Sequence, residues 1–272
     1  MNLIDFSDLI AVQIEDVGHL RIPLRLLIHS INSTQSFLHN LVANSENDLT
    51  IATETITPVE AGTTLPVDFL RVRDVSVNGC PIELIQPQQR HVFSATVEDV
   101  TGIGSSSYFA YLLGNRIFFS DGLASGTGVS FTYTRRLPKL HRGVPQAGCT
   151  PTTVVLADEA LIGSVETKND YYKNAKIIGL SGPGAGEEHV FSGYVGSTKV
   201  GTTDEWTESL TIASVYEIKC ELPEDPDFHV ILCDIVSDKL GKGKENKQVW
   251  AELEQKLGQL SSRNSQNGWF II

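Results

Sequence analysis

Positive charge is scarce in this chain. Lys and Arg total 21 against 33 Asp and Glu, so the formal net charge is −12 and the pI is near 5.0. The longest basic block is Arg135-Arg136. Proteins that grip nucleic-acid backbone draw most of their affinity from phosphate neutralisation by Lys and Arg, so tight sequence-independent DNA binding is not expected. An acidic wall along which DNA slides is compatible with this balance. Long apolar runs are also missing, and no stretch approaches the length of a membrane span. Residues 1–6 have neither the basic start nor the continuous apolar run of a leader. The four cysteines, Cys80, Cys149, Cys220 and Cys233, are far apart, with no CxxC and no neighbouring paired histidine. Zinc sites need clustered ligands and disulfide scaffolds need density. Unpaired thiols made in a reducing cytoplasm are therefore expected.

Catalytic patterns are absent as well. The seven histidines are His19, His29, His39, His91, His141, His189 and His229, and none belongs to an HExxH arrangement. His29 and His39 stand too far apart on one helix for an i, i+4 metal pair. There is no GxSxG and no Cys/His nucleophile context. Ser181-Gly182-Pro183-Gly184-Ala185-Gly186 is glycine-rich, but a phosphate loop needs a Lys-Ser/Thr pair opening a helix. Glu187-Glu188 follow instead and would repel phosphate, so a tight turn between strands is the expectation. Gly241-Lys242-Gly243-Lys244 ends a helical pattern and does not open one. Asp158-Glu159, Glu187-Glu188 and Asp225 with Asp227 are acidic pairs that the sequence does not place across a cleft, as glycoside hydrolysis requires. We expect no enzyme activity, no cofactor and no metal.

What the chain does contain is enough apolar residue, 41% against 20% charged, for a substantial core in 272 residues. Residues 3–17 and 23–43 read as helices. In the second, Leu24, Leu27, Ile28, Ile31, Leu38, Leu41 and Val42 recur at helical spacing, and Pro23 suits its first turn. Asn32, Ser33, Thr34 and Ser36 interrupt the middle, which predicts a face not buried all round. Residues 49–57 alternate as a half-buried strand does. Residues 69–77 form another, followed by an Asn78-Gly79 hairpin signal with residues 81–85 returning antiparallel. Residues 108–113 and 116–120 flank a Gly114-Asn115 turn, and 129–135 is a further strand.

From 152 to 218 the texture becomes Gly- and Thr-rich, with short β-type runs at 153–157, 175–180, 188–195, 198–203 and 215–220. This predicts a small barrel or sandwich. Pro223, Asp225 and Pro226 then open a helix through Val230, Ile231, Asp234 and Ile235. A last helix is expected over 244–260, with Val249, Leu253, Leu257 and Leu260 on one side. The expected class is α+β, with the terminal helical regions packed together beside a small antiparallel sheet. The expected domains are 1–150 plus 221–264, an inserted all-β domain over 151–220, and a tail over 265–272. That tail ends in Trp269, Phe270, Ile271 and Ile272 after a polar tether. Aromatic anchors of this kind are typical of interfaces, so these four residues are the candidate docking site.

Leu65-Pro66-Val67-Asp68-Phe69-Leu70-Arg71-Val72, the Asn78-Gly79 hairpin, the Tyr108-to-Phe119 hairpin and Tyr133-Thr134-Arg135-Arg136-Leu137-Pro138 occur in an order that resembles the head-to-tail adaptor proteins of tailed phages, also called connector, neck or head-completion proteins. The resemblance covers about residues 1–145 and 222–260. Asp170-Tyr171-Tyr172-Lys173-Asn174, then Gly182 to Gly186, Tyr194 to Val200, Trp206, and Tyr216-Glu217-Ile218 resemble a small β unit recurrent in phage structural proteins. Ala175 stands where that unit usually has Gly, and Lys173 is an intrusion; both fall at a turn.

The resemblance implies a ring, commonly of twelve copies, below the portal protein, extending the DNA channel and offering a platform for tail, nozzle or fibre proteins. It implies a virion location, and docking of Trp269, Phe270, Ile271 and Ile272 on the portal. The competing reading is a peripheral virion module that binds a receptor or tail fibre through the inserted β domain. It requires an exposed aromatic cluster there, with Tyr171, Tyr172, Trp206 and Tyr216 as candidates.

Overall fold

The computed structural model describes residues 3–16, 18, 21–44, 51–89, 108–120, 123, 127–158, 161–219, 226–240, 251 and 255. Among them the fold is α+β, with three helices and four small, mainly antiparallel sheets. By contacts the chain forms two compact units, Met1–Leu49 with Arg136–Ile272, and Thr50–Arg135. Residues 151–220, whose texture sets them apart in sequence, group with the terminal helices.

In the first unit, α1 (Leu3–Gln13) and α2 (Leu24–Asn44) pack with α3 (Pro226–Lys239). Leu3, Phe6, Ile10 and Ile14 meet Leu27, Ile31 and Leu38 of α2 and Leu232, Ile235 and Val236 of α3 in one core. Helix α3 is buried on almost every side, with Phe228, Ile231, Leu232, Cys233, Ile235 and Val236 all covered, as expected of a central helix. Polar side chains tie the helices at their ends. Gln13 bonds Asp234 (2.8 Å) and Ser237 (2.5 Å), and Lys239 reaches Thr34 (3.0 Å).

Helix α1 stops earlier than expected, because Glu15 takes a positive φ of 54° and cannot continue it. Asp16 then accepts the N–H groups of Arg21 (2.9 Å) and Ile22 (2.8 Å), which shapes the turn into α2. Leu27 donates to the Pro23 carbonyl, confirming Pro23 at the helix start. The polar middle of α2 is not a solvent face throughout: Thr34 and Gln35 are buried, while Ser33 and Ser36 are exposed. Asn32 exchanges two bonds with the Leu140 backbone (2.6 and 3.2 Å), and Gln35 donates to the Pro138 carbonyl (3.0 Å). These amides satisfy a strandless stretch that would otherwise bury unpaired backbone.

The second unit is built from β1 (Ile51–Ile56), β2 (Thr63–Thr64), β3 (Phe69–Val77), β4 (Cys80–Pro81), β5 (Glu83–Ile85), β6 (Phe109–Leu113), β7 (Arg116–Phe119) and β8 (Val129–Arg135). They form two sheets, in the orders β1-β8-β3-β4 and β2-β7-β6-β5, around a core that includes Val75, Ala110, Ile117, Val129, Phe131 and Tyr133. The Tyr133 hydroxyl donates to Asp68 (2.9 Å) within that core. The hairpin at Asn78-Gly79 forms with both residues at positive φ. Its return is shorter than expected. Only Cys80 and Pro81 pair with β3, and Glu83–Ile85 runs parallel to β6. The ladder ends at Ser76 and Pro81, past which the Ile82 N–H still reaches the Val75 carbonyl (2.7 Å) before the chain crosses to β6.

The remaining strands are β9 (Arg142–Gly143), β10 (Thr153–Val155), β11 (Lys176–Ser181), β12 (Glu188–Val190), β13 (Gly193–Val195), β14 (Val200–Thr202) and β15 (Val215–Ile218). Two sheets, β10-β14-β13 and β12-β11-β15-β9, enclose a core of Val154, Tyr172, Ile177, Phe191, Tyr194, Trp206 and Tyr216. The run 188–195 is therefore two strands in different sheets. It turns at Phe191, which is fully buried and donates its N–H to the Ala175 carbonyl. The expected helix over 244–260 lies outside the described residues except for Ala251 and Gln255, both helical.

Candidate functional site

Trp269, Phe270, Ile271 and Ile272, the docking residues expected from sequence, lie outside the described residues. The aromatic residues of the β unit do not form an exposed platform. Tyr172 and Tyr216 are 0% exposed and Trp206 is 2% exposed, while Tyr171 is half-buried. Each hydroxyl has a structural partner. Tyr172 accepts the Glu166 N–H (3.0 Å), Tyr194 donates to the Glu166 carbonyl (2.6 Å), and Tyr216 accepts the Ala157 N–H (2.9 Å). Burial raises all three phenols above their ordinary range, Tyr194 to about 12. These rings hold Ala157 and Glu166 against the sheets, and a receptor has no face of theirs to stack on.

The glycine run forms a tight turn after β11. Gly182 and Gly184 have φ of +75° and +74°, and a Cβ on Gly184 would come within 2.9 Å of the Glu208 carbonyl oxygen. Glu187 points its carboxylate at the N–H groups of Thr207 (2.8 Å) and Glu208 (3.2 Å), which holds it below the usual carboxylate range. The N–H groups of the loop are themselves spent on backbone carbonyls, Ala185 on Gly182, Gly186 on Gly179 and Glu187 on Gly184.

Among the described histidines, His189 comes closest to a catalytic arrangement. Its Nδ1 lies 2.8 Å from Asp204 and its Nε2 3.3 Å from Glu187. A general base needs one nitrogen facing substrate, but here both face carboxylates and the ring packs on Trp206 at 4.1 Å. The cluster fastens β12 to the 204–208 loop. Among the described residues no group of His, Cys, Asp and Glu could hold a metal ion, and no helix is long and apolar enough to cross a membrane. Cys80, Cys149 and Cys233 carry reduced thiols, and Cys220 lies outside the described residues.

Along α2 runs an open trough in two parts of about 370 and 530 Å³, sharing Arg25, Ile28, Gly163 and Ser164. His29 and Lys139 line the first part and Asp158 the second. Lys139 is already engaged by Glu166, whose hydrogen bond raises the lysine's pKa.

The most unusual chemistry is at a junction that motif reading passes over. Glu217, on β15, is 1% exposed and accepts the Leu3 N–H at 2.6 Å, while its Oε2 is buried without a hydrogen-bond partner. Burial pushes its carboxyl up to about 7, against the opposing pull of the Leu3 N–H and Arg142. Nearby, His141 accepts the Ile218 N–H with its carbonyl, and its ring lies fully buried at right angles to Tyr216. Neither ring nitrogen has a partner, and burial drives its pKa down to about 3. The one sequence signal for Glu217 is an acid inside a short apolar strand, Val215-Tyr216-Glu217-Ile218.

No protein-family model matches the chain, and no curated protein matches it at a significant level.

Proposed function

We propose that the chain is a non-enzymatic structural subunit of a tailed-phage particle, the head-to-tail adaptor. It forms a ring, commonly of twelve copies, below the portal protein and carries the tail, nozzle or fibre proteins on its other side. The observation that supports this reading best is the helical core assembled from both ends of the chain. Helices α1 and α2 pack on α3 across more than 180 intervening residues, the split helical layout that distinguishes the adaptor reading from its rivals. The acidic balance suits the lining of a channel through which DNA passes without being bound. Within this reading, residues 151–220 act as an inserted β module on the outside of the ring, and Trp269, Phe270, Ile271 and Ile272 dock on the portal. The virion is its location and no cofactor is needed.

Electron microscopy of the purified protein with the portal ring of the same phage tests this reading. The expected image is a second ring stacked coaxially on the portal, absent when the protein is imaged alone. Portal rings without added density would remove the adaptor reading.

A further inference from the structure

Helix α1 and β15 meet at a carboxyl group whose surroundings are unusual for an acid. Glu217 sits in the β12-β11-β15-β9 sheet, opposite Arg142 of β9. Its Oε1 accepts the Leu3 N–H, and its Oε2 is buried with nothing to accept from. The first turn of α1 closes this junction from solvent, with Leu3 1% and Phe6 0% exposed. Two charges among the described residues bear on the carboxyl. Arg142 on β9 favours the anion, and Asp5 on α1 opposes it. Among the described residues no cation lies within ion-pair distance of Glu217. An ionised carboxylate held this way needs donors that the closed junction does not supply. Water is the available source, and it enters by lifting the turn that covers the site.

We propose that Glu217 is a proton-operated clamp on α1: protonated, it lets the first turn close over the sheet, and ionised, it draws water into the junction and frees Leu3 to Phe6. The rest of α1 stays docked, because Ile10 and Ile14 are buried and Gln13 is bonded to Asp234 and Ser237 at the far end. The direction follows from burial. The closed form holds its proton up to about pH 7, whereas a freed Glu217 loses it near 4.5. Opening therefore becomes easier as pH rises between those values and levels off above the higher one. One proton released per opening gives about a tenfold rise in the opening equilibrium for each pH unit. The clamp thus works near neutral pH, where small changes in proton activity shift how firmly the amino-terminal helix is held.

Amide hydrogen exchange of the full-length protein between pH 5 and 8.5 tests the clamp, with rates corrected for the intrinsic pH dependence of exchange. At Leu3 and Ser7, protection falls roughly fortyfold from pH 5 to 7 and levels above pH 7, while amides near Gln13 keep theirs. In Glu217→Gln, which retains an acceptor for Leu3 but does not ionise, the same amides show a flat profile. Parallel profiles in wild type and variant would overturn the proposal. A carboxyl ¹³C titration of the wild-type protein decides independently of the variant's folding. A Glu217 midpoint near 7 that coincides with the exchange midpoint supports the clamp, and a midpoint below 5 refutes it.

Discussion

Two buried ionisable side chains, Glu217 on β15 and His141 just before β9, oppose each other in their response to acid. Glu217 has a folded pKa raised from 4.5 to about 7, so it binds its proton more tightly folded than unfolded. Its contribution is complete below 4.5 and is lost as pH rises to 7, amounting to roughly 3 kcal/mol. His141 runs the other way. Its folded pKa is depressed from 6.5 to about 3, so the unfolded chain takes the proton first and stability falls as pH drops through that window. Between 4.5 and 6.5 the two effects offset each other, and below 4.5 His141 acts without that counterweight. Replacing His141 with Phe keeps an aromatic ring against Tyr172 and Tyr216 and removes the titration. Urea denaturation at pH 4 and pH 7 should then show a smaller loss of stability on acidification than in wild type. An unchanged loss would mean that His141 gains its proton without unfolding.

Turns and strand ends carry the next level of specificity. Gly184 and Gly186 both lie in the turn after β11 at positive φ, but their surroundings differ. A Cβ at Gly184 would press on the Glu208 carbonyl, Leu210 and Trp206, whereas one at Gly186 meets nothing within 4 Å. Gly186→Ala should cost about 1 kcal/mol, for backbone strain alone. Gly184→Ala should cost more than twice that, because the 204–210 segment must also move off the core. Thermal denaturation of the two variants checks the order, and equal costs would show that the turn yields freely.

The sequence made this turn legible because glycine and proline mark backbone needs directly. The strands of the β unit were legible for a similar reason, since short β-branched runs lie between such punctuation. The β4–β5 break was not, because Glu83–Ile85 takes β6 as its parallel partner, a pairing that the alternation of residues 81–85 does not reveal. The polar middle of α2 was legible as a face not buried all round, but its partners were not, because Asn32 bonds backbone more than 100 residues away, which periodicity does not reveal. Glu217 escaped motif reading for the same reason: its chemistry comes from the helix that covers it, not from its neighbours in the chain.

At the scale of the whole molecule, the adaptor reading gives the end of the chain a partner outside its own subunit. Among the described residues, one core joins α1, α2 and α3 and another joins the two sheets that β9 to β15 form. On the adaptor reading, deleting 265–272 should leave the melting temperature within a degree or two of wild type, since a segment seated on a neighbour adds little to the stability of the isolated subunit. The same deletion takes away Trp269, Phe270, Ile271 and Ile272, the anchors through which the adaptor reading has the subunit seat on its portal. A stable subunit that no longer joins particles is the expected pair of results, read by calorimetry on the purified protein and by particle composition in a complementation assay. The pair separates two roles for an apolar terminus. Folding back on its own body would lower the melting temperature, and docking on a partner would lower incorporation alone. Normal incorporation of the truncated chain would leave the portal contact to some other surface, and the exposed trough along α2, with Arg25, His29 and Lys139 on its walls, would become the next face to alter.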